Sequence, residues 1–198
     1  TMFREMLRKD TLLVSVSYVE GELGVKQPIA EIAKIIKEQG ATSFLHVDAT
    51  QAVGKIPLQL EGIDLLTFAP HKFFGINGCG VLLRREGVLL EPLIHGGKSY
   101  SIFRSGTPVP AFAGSIYEAL RLNYDNMEET YNRLLEMKNY LIHSFQTLDQ
   151  VYINSTKESL PHYLNLSIRG VKAIAIQKKL DDYGVCVSTK SACSVENT

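Results

Sequence analysis

"LLVSVSYVEGELGVKQPIAEIAKIIKEQGATSFLHVD", residues 12–48, decides the fold class. Leu12 to Tyr18 is a short apolar run with β-branched residues and reads as a strand. Gln27 to Gln39 places Ile29, Ile32, Ala33 and Ile36 on one face of an amphipathic helix, with Gly40 as its stop. Ser43 to Val47 is a second strand. Strand, helix, strand in that order predicts an α/β unit with a largely parallel sheet, since parallel neighbours need a crossover between them. Further along, Leu65 to Ala69 and Gly80 to Arg84 read as two more short strands. The Gly-, Ser- and Pro-rich segment 95–114 breaks both periodicities and reads as a loop. A long helix is expected from Ala113 to Thr147, interrupted near Asp125-Asn126. "HYLNLSIRG" (162–170) then reads as a strand, "VKAIAIQKKLDDYG" (171–184) as a helix closed by Gly184, and "VCVST" (185–189) as a strand. This last part predicts a second, smaller α+β domain.

The composition is that of a globular protein. Basic and acidic residues balance at 21 each, so charge alone draws the chain to neither nucleic acid nor membrane. No apolar run has the length of a transmembrane helix, and residues 1–20 mix charges where a signal peptide needs a clean apolar stretch. A cytoplasmic location is therefore expected. The three cysteines, Cys79, Cys186 and Cys193, show no CxxC spacing, which argues against a disulfide framework and a zinc site alike. Cys79 and Cys186 fall in strand-like apolar runs and are expected as core thiols.

Chemistry gathers at the carboxyl ends of the strands, where open α/β sheets carry their functional residues. Asp48 ends "FLHVD", with Gln51 close behind, and His71-Lys72 follows the strand at 65. Asp48 has a plain alternative as the N-cap of the segment after it. An amine buried beside Phe68, Phe73 and Phe74 has its ammonium form disfavoured, and a neutral amine is the form that bonds to a carbonyl. Pyridoxal phosphate chemistry needs such a lysine, and an acid on the pyridinium nitrogen. His46 shares the face of Asp48 by the two-residue period of a strand.

"HVDATQAVGKIPL" (46–58), "LLTFAPHKFFGINGCGVLLRR" (65–85), "IHGG" (94–97) with "RSGTP" (104–108), and "STKSACS" (188–194) resemble, in order, the blocks of the NifS/IscS-type cysteine desulfurases. These are fold-type I pyridoxal-phosphate enzymes of the class V aminotransferase group. The resemblance implies that residues 1–112 are the second half of a large cofactor-binding domain. It likewise implies that 113–198 are a linking helix and an incomplete small α+β domain. Lys72 then corresponds to the Schiff-base lysine, Asp48 to the partner of the pyridine nitrogen, and Gln51 to a glutamine near the cofactor's phenolic oxygen. His71 matches a phosphate-contacting histidine. Thr107 matches a threonine that reaches the phosphate of the other subunit's cofactor, which implies a homodimer with shared active sites. Cys193 matches the nucleophile that takes sulfur from L-cysteine, leaving L-alanine and an enzyme persulfide for a sulfur-acceptor protein. Small neighbours and Lys190 suit a loop thiolate there.

Three positions depart from the family's pattern. Glu20 stands where an asparagine contacts the cofactor, Ala69 where a serine binds its phosphate, and Lys190 where a glycine is common. Family members are also longer at both ends, so the resemblance implies a fragment. The rival readings are another class V enzyme, such as a selenocysteine lyase or an aminotransferase, and a dimeric scaffold that has lost the cofactor.

Overall fold

The computed structural model describes residues 2–40, 43–97 and 101–189. They form two compact units, one of residues 1–18 and 28–127, the other of 19–27 and 128–198.

The first unit begins with a short helix α1 (Met2–Met6) and is built on a four-stranded sheet. Strands β1 (Leu13–Ser17), β2 (Phe44–Asp48) and β3 (Leu65–Phe68) run parallel, and β4 (Val81–Arg84) closes the order β1-β2-β3-β4 antiparallel to β3. Helix α2 (Ile29–Glu38) makes the crossover between β1 and β2, as the strand-helix-strand pattern predicts. Its buried residues are Ile29, Ile32 and Ile36, the stripe expected of an amphipathic helix. Gly40, at φ 62°, follows its end in the left-handed region.

Side chains alternate along the strands. Val14, Leu45, Val47, Leu66 and Phe68 are buried on one face. The opposite face holds Ser15, Ser17, His46, Asp48 and Thr67, with Leu13, Phe44 and Leu82 exposed beside them. Helix α3 (Pro110–Asp125) completes the unit and starts three residues before the expected Ala113, because proline fits the first turn.

The second unit holds most of α4 (Met127–Phe145), a hairpin-like pair β5 (Val151–Ile153) and β6 (Leu166–Ile168), and α5 (Ala173–Asp181). The expected break near Asp125-Asn126 is present, with Asn126 outside helical geometry at φ −114° and ψ 10°. Buried Lys138 of α4 donates to the carbonyl oxygens of Ser159 and Leu160, both at 3.1 Å, and burial pushes its pKa down. Residues 19–27 join this unit through an antiparallel bridge from Val25 to Ser159 and a Leu160 N–H donating to Gly24 O at 2.8 Å.

Three expectations are corrected in this unit. Residues 185–189 form no strand, and Cys186 is exposed, not a core thiol. The run is apolar, yet no described strand pairs with it, and an unpaired strand leaves its backbone groups to water. The strand expected over 162–170 is confined to Leu166–Ile168. No helix among the described residues is long and apolar enough to cross a membrane.

Candidate active site at the strand ends

Asp48 is the last residue of β2 and is paired in register with Ser17 of β1 and Thr67 of β3. Its backbone oxygen accepts from Tyr18 N at 2.8 Å, which fixes the strand end. Its Oδ1 accepts from Thr50 N at 2.9 Å. This is the capping geometry of an aspartate at the start of a turn, so the plain reading of Asp48 holds for one oxygen. Oδ2 takes no hydrogen bond among the described residues. A half-buried carboxylate is thus oriented through one oxygen and open at the other.

Two residues before it, His46 lies on the same face. Its Nδ1 is 2.7 Å from Ser15 Oγ and its Nε2 3.0 Å from Thr67 Oγ1, so the ring is tied across three strands.

After Asp48 the chain makes a helical turn, with Val53 N–H donating to Ala49 O and Ile56 N–H to Ala52 O. Positions four apart on such a turn are neighbours. Lys55 Nζ donates to Gln51 Oε1 at 3.3 Å. Gly54, at φ 75°, brings the turn against the next element: a Cβ there would lie 2.8 Å from Phe73 Cβ.

That element is a 3-10 turn, Pro70–Phe73, which follows β3 directly. Pro70 and Phe73 are buried, and the two residues between them, His71 and Lys72, are exposed. Burial of the Lys72 amine among Phe68, Phe73 and Phe74 is therefore corrected. In a three-residue turn positions i and i+3 eclipse, so Pro70 and Phe73 share the inner side and the pair between them is turned out. Phe74 takes the left-handed conformation at φ 68° and is 91% exposed. Helix α3 clamps this turn, Asn123 Nδ2 donating to Phe73 O at 2.9 Å and to Ala119 O at 2.7 Å. The Lys72 side-chain amine makes no hydrogen bond or ion pair among the described residues, and its charge acts on Lys55.

At this site Lys55 is the amine that the protein holds below the ordinary lysine range. Burial, and then the charge of Lys72, bring it down to about 8. Sequence reasoning passed over it; the signal was the Gln51-to-Lys55 spacing with a glycine at 54.

Thr107 lies exposed on the loop after Gly106 and makes no hydrogen bond to Asp48, Gln51, His71 or Lys72. Cys193 and Lys190 lie outside the described residues. Glu20, in the second unit, accepts from the backbone N–H groups of Glu22 and Leu23 at 2.8 and 2.6 Å, so its carboxylate turns back on its own loop. With burial, its charge pushes the Tyr163 phenol up to about 12. Ala69 leads into the 3-10 turn and offers only its carbonyl oxygen, which accepts from Lys72 N at 3.1 Å.

The family model for class-V aminotransferases matches residues 1–197. The chain belongs to the class-V aminotransferase family. Within it the chain is 38% identical over 195 residues to a cysteine desulfurase IscS of Dictyoglomus turgidum, covering 96% of this chain and 49% of that one. It is 39% identical over 196 residues to a cysteine desulfurase IscS of Glaesserella parasuis, covering 95% and 47%. A solved NifS-like protein superposes with a TM-score of 0.89 at 32% identity, covering 96% of this chain and 52% of that one. Another, the NifS-like protein of Rickettsia africae, gives 0.84 at 29% identity, covering 96% and 53%. This class-V chain spans about half the length of the curated relatives it matches.

The donor set fits pyridoxal phosphate. Asp48 Oδ2 is an open acceptor for a ring N–H, Lys72 an accessible amine, Gln51 an amide for the phenolic oxygen, and His71 an exposed group for the phosphate. A hydroxyl at position 69 is the missing part.

Proposed function

We propose that this chain carries the cofactor-bearing centre of a cysteine desulfurase, which converts L-cysteine to L-alanine and retains the sulfur as a persulfide. The observation that carries the reading is the pairing of Asp48, with one open carboxylate oxygen, and an unpaired Lys72 on the ends of neighbouring parallel strands. The names of the relatives support the choice of substrate.

Pyridoxal 5′-phosphate, when bound, supplies an electron sink that weakens bonds at the substrate's α and β carbons. Lys72 would hold it through Nζ and could carry a proton on the same atom. Asp48 Oδ2 would accept the ring N–H and favour its protonated form. Gln51 would donate to the phenolic oxygen and His71 to the phosphate. The Cys193 thiolate attacks the substrate sulfur; its S–S bond forms as the carbon–sulfur bond breaks. L-cysteine and a thiol thus become L-alanine and a persulfide with no outside oxidant. The persulfide is then passed to a sulfur-acceptor protein serving iron-sulfur clusters or tRNA thiolation. Cytoplasmic operation suits a free nucleophilic thiol.

A homodimer with Thr107 facing the partner's cofactor belongs to the same proposal. Support comes from Leu89, Leu93 and Ile102, which are 90%, 97% and 81% exposed. Large apolar side chains exposed to that extent along one stretch suit a covered surface.

The test uses the full-length protein with pyridoxal phosphate. Borohydride should fix the cofactor on Lys72, and Cys193→Ala should abolish alanine formation while leaving the lysine-bound absorbance in place. Fixation at another residue, or none, sinks the reading. Ala69 favours one rival, the scaffold without cofactor, and the same absence of fixation would establish it. Comparison of cysteine with selenocysteine as substrate separates the desulfurase from a selenocysteine lyase.

A further inference from the structure

Gln51 and Lys55 are joined by a single hydrogen bond, Lys55 Nζ to Gln51 Oε1 at 3.3 Å. An ammonium carries donors and no acceptor, so the atom of Gln51 that faces it must be the carbonyl oxygen. The two hydrogens on Nε2 are then turned away from Lys55. Gly54 adds the second constraint. The space against Phe73 admits no side chain, and this close approach sets the turn bearing Lys55 on the turn bearing Lys72. The two amines come within electrostatic range.

We propose that Lys55 is a positioning residue, whose ammonium sets the amide of Gln51 so that its NH2 is presented to an acceptor oxygen of a bound ligand. The ligand's identity, the phenolic oxygen of pyridoxal phosphate, rests on the function proposed above. The Lys55–Gln51 arrangement itself is a property of the ligand-free protein. Above about pH 8 Lys55 becomes a neutral amine, and its lone pair can accept from Nε2, so the orientation of the amide is released. The charged group that acts on Lys55 is Lys72 from the 3-10 turn; no described carboxylate pairs with it.

The test needs two readouts. In the ligand-free chain labelled with carbon-13 glutamine, the Gln51 Cδ resonance, assigned by its loss in Gln51→Asn, is followed from pH 6 to 10. The wild type should show a transition with its midpoint near pH 8. Lys55→Arg keeps a donor that does not titrate in this range and should hold the low-pH position throughout. Lys55→Met should show no transition and a different resonance position at pH 6. Pyridoxal phosphate is then titrated by absorbance with borohydride capture mapped to Lys72. Lys55→Met should bind it about tenfold more weakly and Lys55→Arg nearly as well as wild type. A wild type without the transition, or Lys55→Met that retains it, overturns the assignment. Failure of capture on Lys72 in the wild type overturns the cofactor reading instead, and the carbon-13 result still decides the role of Lys55.

Discussion

Lys55 reaches a pKa of about 8 from an ordinary 10.5 because its charged form is poorly solvated and faces another cation. Below pH 8 the residue is charged in folded and unfolded chains alike, and the folded state bears the full cost of the buried charge. Between pH 8 and 10.5 the folded chain has already released the proton, so the cost falls as pH rises. Lys55→Met should therefore unfold at a higher urea concentration than wild type at pH 7, with a narrower gap at pH 10; equal midpoints at pH 7 would contradict this. Phe74 gives a second prediction at this scale. A non-glycine residue in the left-handed region costs roughly 1–2 kcal/mol, and Phe74 is too exposed to recover it by packing. Phe74→Gly should raise the stability of the monomeric chain by about 1 kcal/mol in urea titration. The sequence pointed to Asp48 and Lys72, since strand ends in an α/β pattern are readable from periodicity. It placed the neutral amine at Lys72, whereas the amine at this site with the lowered pKa is Lys55. Which of two lysines is desolvated depends on the rotation of a single 3-10 turn, and that rotation leaves no periodic trace.

At the scale of elements, the site is held by the contact of two turns and one helix. Gly54 meets Phe73, and Asn123 of α3 binds the carbonyl of that same phenylalanine. Gly54→Ala should cost about 1–2 kcal/mol for the left-handed backbone alone, and more for the collision with Phe73. Asn123→Ala should cost about 1 kcal/mol for the lost hydrogen bonds. A Cβ at position 54 would also lie 3.5 Å from Asn123 Cβ, so the two changes should be non-additive in a double-mutant cycle. Strict additivity would mean that the helix and the glycine turn act separately. The elements themselves were unequally legible. Helix α2 and the break at Asn126 follow from apolar spacing and poor helix formers. Strand β5 is three residues long and was missed, because so short a run shows no period. "VCVST" has the composition of a strand and lacks only a partner, a fact that no local reading contains.

For the whole molecule, the four-stranded sheet buries one face and leaves Leu13, Phe44 and Leu82 exposed on the other. Parallel sheets are ordinarily covered on both faces. Native chain should accordingly bind an apolar dye, and Leu82→Lys should reduce that binding without moving the urea midpoint by more than about 0.5 kcal/mol. A second feature of the chain path concerns time. Residues 19–27 belong to the second unit, yet their bonds run to Glu158, Ser159 and Leu160, and Tyr163 packs over Gly24. During synthesis this segment emerges long before its partners exist, so it waits unpaired while α2, β2 to β4, α3 and α4 are made. Nascent chains of increasing length should stay open to proteolysis at 19–27 until Tyr163 has been added, and then become protected in one step. The second unit is thus assembled from segments made far apart in time, and its slowest event is a loop closure rather than the formation of any helix.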